Sequence, residues 1–190
     1  NDIDNQSFEA LTTFYDLTKV GPQLALSWTN PDASTWVFKL LPNVKFHTGR
    51  TMTVTDVKAS LDSMKGTILG DEFGNTIQEV SVVDPLTVKI TTNGPDPILP
   101  NELSDLFIYD TTSKTPNNPV NGTGPYTLKP GTDIKNSVDL VAFNGYWGSR
   151  PYVRELKFLS YDSTDDAIKA ANAGKVDIAE VSTETNAAKV

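Results

Sequence analysis

Few side chains in this sequence are equipped for chemistry, and their spacing assembles none of the usual reaction centres. His47 is the only histidine, and a general base of that kind needs a nucleophile to activate. The chain has no cysteine, and no serine lies in the Gly-x-Ser-x-Gly turn that presents a nucleophile. Asp165 and Asp166 are adjacent acids, yet neighbours on a helix point about 100° apart, and the start of a helix explains both. Asp71 and Glu72 open an acidic loop without the ligand alternation and closing glutamate of a calcium loop. Gly66, Gly70 and Gly74 have neither the spacing nor the preceding buried strand of a phosphate-binding loop. One His and no Cys also remove most zinc arrangements. No cofactor, no metal site and no catalytic residue are expected, and an acid hydrolase drawing on the 24 acidic residues is the catalytic alternative.

Composition narrows the partners. The net charge is −8 and the isoelectric point about 4.6, with the 16 basic residues scattered. A surface that binds nucleic acid or anionic lipid needs them clustered, so no nucleic acid is expected. No apolar run approaches a membrane span, and no leader pattern opens the chain. At 190 residues the chain can bury roughly 70% of its unfolded surface without staples.

The elements that would position any site follow from periodicity. Leu24, Leu26 and Trp28, then Trp36, Phe38 and Leu40, alternate around the turn-forming Asn30 to Ser34, which predicts a hairpin with one apolar face. Val44 to Phe46 reads as a short third strand. Thr53 and Asp56 supply a cap, and Val54, Val57, Leu61 and Met64 form a helical stripe. Ile77, Val80 and Val82 against Leu86, Val88 and Ile90 predict a second hairpin turning at Asp84 and Pro85, and Ile98 to Phe107 a short helix. Tyr126 and Leu128 with Val138 to Phe143 predict a third hairpin. Leu156 to Tyr161, Ser163 to Ala173 and Val176 to Val181 read as strand, helix and strand, a right-handed βαβ crossover. At the N-terminus, Asn1 to Ser7 is expected to be irregular and Phe8 to Thr18 helical. Trp28, Trp36, Phe38 and Phe46 are expected in the core. Asn5-Gln6-Ser7 and Asn121-Gly122-Thr123 are formal glycosylation sequons, read as chance occurrences.

The order Leu-Ala-x-Ser-Trp, Trp-x-Phe-x-Leu, Val-Lys-Phe-His-x-Gly and Thr-x-x-Asp-Val, followed by Gly122-Thr123-Gly124-Pro125-Tyr126, Asn144-Gly145-Tyr146-Trp147-Gly148 and Gly174-Lys175-Val176-Asp177-Ile178, resembles the family-5 extracellular solute-binding proteins. Those are the oligopeptide, dipeptide and nickel receptors of ABC importers. The resemblance implies a mixed α/β (α+β) fold of the type-II periplasmic-binding-protein kind, with antiparallel hairpins and a C-terminal βαβ unit. It makes His47 a structural turn residue and Trp147 part of the scaffold.

The resemblance also implies a function and a place for it. The protein would capture a peptide or similar small solute outside the membrane, extracellular or periplasmic and membrane-anchored at full length, and deliver it to an ABC permease. A nickel or metal-chelate receptor, or a sensor or scaffold outside transport, are the alternatives. By position, family members contact ligand from segments corresponding to Asp2 to Ser7, Gly70 to Asn75 and Asp105 to Tyr109. Within them Asn5, Gln6, Phe73 and Tyr109 have side chains suited to hydrogen bonding or stacking. In the nickel receptors an arginine of the third segment meets a chelate's carboxylates, and Leu106-Phe107-Ile108-Tyr109 contains none. Family members are much longer, so residues 1–190 correspond to a single N-terminal lobe, with an approximate subdomain at 8–115, a remainder at 116–190 and the second lobe absent. One lobe of such a clamp is expected to bind weakly.

Overall fold

The computed structural model describes residues 2–64, 76–113, 121–134 and 137–180. They form α1 (Asp2–Ser7), β1 (Thr12–Phe14), β2 (Val20–Pro22), β3 (Ala25–Asp32), β4 (Thr35–Leu40), α2 (Val54–Met64), β5 (Ile77–Asp84), β6 (Thr87–Thr92), α3 (Leu99–Glu102) with a 3-10 turn over Leu103–Asp105, β7 (Tyr126–Leu128), β8 (Ser137–Ala142), β9 (Glu155–Leu159) and α4 (Thr164–Asn172). The chain divides into two compact units, Asn1–Lys129 with Leu140–Leu156, and Pro130–Asp139 with Lys157–Val190.

The two long hairpins share one antiparallel sheet in the order β3-β4-β6-β5. Trp36, Phe38 and Leu40 on β4 and Val88 and Ile90 on β6 alternate into the core as their sequence pattern predicts. Burying each such side chain contributes about 1.5–3 kcal/mol relative to leaving it in water. Helix α2 adds Val54, Val57 and Leu61 to the same core, and Leu99, Leu103 and Leu106 close it from α3 and the turn that follows. Pro31 sits in β3, an edge strand, where a missing N–H breaks no ladder.

Leu26 departs from the expected apolar face: Leu24 and Ala25 are buried, but Leu26 is 54% exposed. The β3–β4 register shifts between Ala25 and Ser27, and an extra residue in one strand turns the following side chains over. Val44 to Phe46 is not a strand either. Lys45 makes one isolated bridge to Thr51, because Asn43 and Gly49 take positive φ on either side and fold the segment into a tight loop.

The N-terminal expectation is inverted. Residues 2–7 are helical, with Asp2 and Asp4 in the first turn, where the helix dipole favours anions. In place of a helix over 8–18, the chain makes a small hairpin over residues 12–22, β1 pairing β2. Asp16 Oδ1 accepts from the Thr18 N–H at 2.8 Å and the Lys19 N–H at 2.9 Å, an Asx-type turn that competes with helix. Thr12 and Thr13 favour the strand, and Leu17, within the expected helix, is 99% exposed.

The third sheet runs β7-β8-β9. In the second unit α4 is capped as its sequence suggests, Ser163 Oγ accepting from the Asp166 N–H at 3.2 Å and Gly174 following at φ +66°. The closing strand of the βαβ unit does not form over its described part, since Val176 to Glu180 is irregular and Ile178 is 88% exposed. A parallel pair is stable when both faces are covered, and no residue of β9 is buried.

Candidate functional site

A cavity of about 430 Å³ opens in the first unit between α1, the end of α2 and the segment after the 3-10 turn. Phe8, Met64, Phe107 and Tyr109 supply its apolar and aromatic wall, and Asp4, Asp110, Ser113 and Asn121 its polar lining. The wall is held from behind. Ile108 N–H donates to the Glu9 carbonyl at 2.9 Å, an antiparallel bridge that sets Phe107 beside Phe8 with ring centroids 5.9 Å apart. Tyr109 N–H donates to Ser60 Oγ at 3.2 Å, and the Tyr109 hydroxyl is hydrogen-bonded to Ser63 Oγ. Two serines one turn apart on α2 thus fix one aromatic side chain.

Asp110 is anchored by a cation that the sequence did not reveal. Arg50 grips Asp56 with Nη2–Oδ1 at 2.6 Å and Nη1–Oδ2 at 3.0 Å. The same guanidinium donates through Nε to Asp110 Oδ1 at 3.1 Å and lies 4.9 Å over the Phe46 ring. Thr48 and Thr112 hydroxyls complete Asp110 at 2.8 and 2.7 Å. Asp56 also accepts from Thr53 N–H and Oγ1, both at 2.8 Å, so the cap of α2 and the ion pair share one carboxylate. Burial would raise the Asp110 pKa, but Arg50, Thr112 and Thr48 outweigh it and hold the carboxyl well below its ordinary range. Burial is likewise overcome at Asp56 by Arg50 and Thr53, and the two carboxylates keep Arg50 firmly protonated.

A third buried acid, Glu9, is held without a cation. Glu9 accepts from Trp147 Nε1 at 2.7 Å, Thr123 Oγ1 at 2.8 Å and the Tyr146 hydroxyl at 2.9 Å. Burial raises its pKa despite these three donors, and burial beside Glu9 also pushes the Tyr146 phenol up. The Gly122-Thr123-Gly124 turn packs directly on the end of α1, where a Cβ at Gly122 would collide with the Ser7 carbonyl. His47 fastens this turn, its backbone N–H donating to the Gly122 carbonyl and its Nε2 lying 2.9 Å from the Gly124 carbonyl. Those contacts give His47 and Trp147 the scaffold roles that the resemblance implied.

Of the residues singled out from sequence, Tyr109 lines the cavity. Asn5 is exposed and Gln6 half-buried on the same helix, neither among the lining residues, while Phe73 lies outside the described residues. Sequence reasoning passed over Phe8, Phe107, Asp110 and Asn121. Phe8 falls on the expected helix over 8–18, and nothing local ties Asp110 to Arg50, 60 positions away. Asn121 drew notice only as a sequon, and at 7% exposure it presents no surface for a glycan.

Among the described residues no group of three His, Cys, Asp or Glu is placed to hold a metal ion, and no described helix is long and apolar enough to cross a membrane. The family model for bacterial extracellular solute-binding proteins, family 5 Middle, matches residues 19–190. The nickel-binding protein NikA of Staphylococcus aureus is 32% identical over 178 residues, 90% of this chain and 35% of that protein. Its crystal structure with Ni(L-His)2 superposes with a TM-score of 0.80 at 27% identity, over 92% of this chain and 38% of the other. The structure of AgaA from Agrobacterium tumefaciens R10, in complex with agropinic acid, matches at TM-score 0.82 and 25% identity, over 92% and 38% of the two chains. A transcriptional regulator, SgrR of Escherichia coli K12, is 27% identical over 164 residues, 81% of this chain and 28% of the regulator. The chain therefore spans about a third of the length of the curated relatives that it matches.

Proposed function

Since the chain belongs to the bacterial extracellular solute-binding proteins of family 5, we propose that it is the first lobe of a receptor that captures a peptide or similar small solute outside the membrane and passes it to an ABC permease. The observation that carries this reading is the cavity itself: about 430 Å³, with an apolar and aromatic wall of Phe8, Met64, Phe107 and Tyr109 facing a few placed polar groups, built on hydrogen-bonded elements. Sites for small solutes have that composition and size. A second lobe beyond these residues would close over the solute by hinge motion, and the full-length protein would be extracellular or periplasmic and anchored to the membrane. The family and the matched structures are binding proteins, and we read this chain as non-catalytic as well, with no nucleic-acid partner.

Two variations on the reading have a specific observation behind them. The likeness to NikA favours a metal chelate as the solute, met through aromatic packing. The likeness to the SgrR regulators favours a lobe that senses a solute and reports it without transport. Thermal-shift screening of the full-length protein against short peptides and Ni(L-His)2 separates the peptide reading from the chelate reading. A ligand at 100 times its Kd stabilises by about 2.7 kcal/mol, a clear rise in Tm. Peptides are expected to give it; a shift from Ni(L-His)2 alone would replace the peptide reading. Peptide hydrolysis abolished by mutating one carboxylate would overturn the binding role.

A further inference from the structure

Most polar groups lining the cavity are already engaged. Asp110 is occupied by Arg50, Thr48 and Thr112, the Tyr109 hydroxyl by Ser63, and Asp4 and Ser113 have partners of their own. Asn121 differs: it is 93% buried, it lines the cavity, and both Nδ2 and Oδ1 lack any partner within the chain. Among the described residues, it is the only cavity-lining side chain with buried unpartnered atoms. Buried polar groups are nearly always hydrogen-bonded, and leaving one unpaired destabilises a fold. Two such atoms on one carboxamide at the wall of a cavity point to a partner that arrives from outside the chain.

We infer that Asn121 reads the ligand, pairing its Nδ2–H and Oδ1 with a carbonyl oxygen and an N–H carried side by side on an extended peptide residue. The inference rests on the receptor reading above. A carboxamide offers one donor group and one acceptor within reach of each other, and an extended residue points its own N–H and C=O to the same side, as in a hydrogen-bonded strand pair. Turning the Asn121 side chain toward the cavity breaks no hydrogen bond, because it makes none. Phe8 and Phe107, stacked at 5.9 Å, give the apolar surface for the residue's side chain.

The test uses the full-length protein, the peptides Ala-Phe-Ala and Ala-Ala-Phe-Ala-Ala, and a depsipeptide of each in which the amide N–H of Phe is replaced by an ester oxygen. Asn121→Leu is expected to weaken peptide binding at least tenfold in calorimetry while leaving Tm unchanged or raising it, since two unpaired polar atoms leave the interior. The wild type is expected to discriminate peptide from depsipeptide, and the variant to treat them alike. Unchanged affinity in Asn121→Leu would overturn the assignment, and so would a variant that melts lower as it binds less, which would make Asn121 structural. Failure of the wild type to bind either peptide overturns the inference alone if another solute raises Tm in the screen above, and the receptor reading too if none does.

Discussion

Two acidic centres in the first unit are almost equally buried and yet are held in opposite ways. Asp56 and Asp110, 3% and 4% exposed, share the Arg50 guanidinium and are kept ionised by it. Glu9, 3% exposed, has only the neutral donors Thr123, Tyr146 and Trp147, and its pKa moves up. A cation compensates charge as well as hydrogen bonding, whereas neutral donors compensate the bonds and leave much of the desolvation cost in place. The first arrangement suits a wall of the cavity, because Asp110 is present there as a saturated group with no free charge to compete for ligand. The second suits a staple: Glu9 ties the segment after α1 to the Tyr146-Trp147 corner.

The largest expected effect comes from removing the cation. Arg50→Met leaves two buried carboxylates facing each other and is expected to cost about 3–5 kcal/mol, read as a lower urea midpoint with unchanged slope. A loss below about 1 kcal/mol would mean that the carboxylates find water, and would dissolve the contrast. Glu9→Gln comes next. Its amide NH2 replaces either Oε1, which accepts from the Tyr146 hydroxyl, or Oε2, which accepts from Thr123 Oγ1 and Trp147 Nε1, so at least one donor loses its carboxylate acceptor, at about 1–3 kcal/mol. Were the glutamine variant as damaged as Arg50→Met, the neutral cluster would be no weaker a centre than the ionic one.

The same contrast explains what could be seen in the sequence. The β3–β4 and β5–β6 hairpins and α4 were legible because their signals are local: Trp36, Phe38 and Leu40 alternate, and Ser163 with Gly174 brackets a helix. Leu26 was misplaced because a bulge is decided by the partner strand, and Phe8 to Thr18 because Asp16 competes for the backbone that helical spacing alone would claim. The family landmark Gly122 to Tyr126 was legible, and its reason, close packing of Gly122 on Ser7, needed the structure. Arg50 meets Asp110 across 60 positions and Glu9 meets Trp147 across 138. No pattern in a window of residues carries such pairs; of the cavity lining, only Asp4, Phe107 and Tyr109 fall in the segments that the family resemblance pointed to.

The smallest expected effect is the pH dependence, which also separates the two centres most cleanly. Folded Glu9 holds its proton more tightly than the unfolded chain does, because its pKa is raised from 4.5. Between that ordinary value and the raised one the folded state binds more protons, so stability falls as pH rises and is regained on acidification. For Asp56 and Asp110 the sign reverses. Their pKa values are depressed from 3.8, so their contribution is fully present above that value and is lost as pH falls through the depressed range. Acidifying from neutral pH is therefore expected to raise the Glu9-linked stability first and then remove the aspartate-linked part. In urea titrations at stepped pH, the gap between wild type and Glu9→Gln should widen as pH falls toward 4.5 and then level off. The gap between wild type and Arg50→Met should instead narrow over that interval, because Asp56 and Asp110, buried without their cation in the variant, take up protons there and relieve it. A Glu9→Gln gap that narrowed on the way to pH 4.5 would mean that the three neutral donors stabilise the carboxylate as well as a cation does, and that the two centres differ in composition but not in electrostatics.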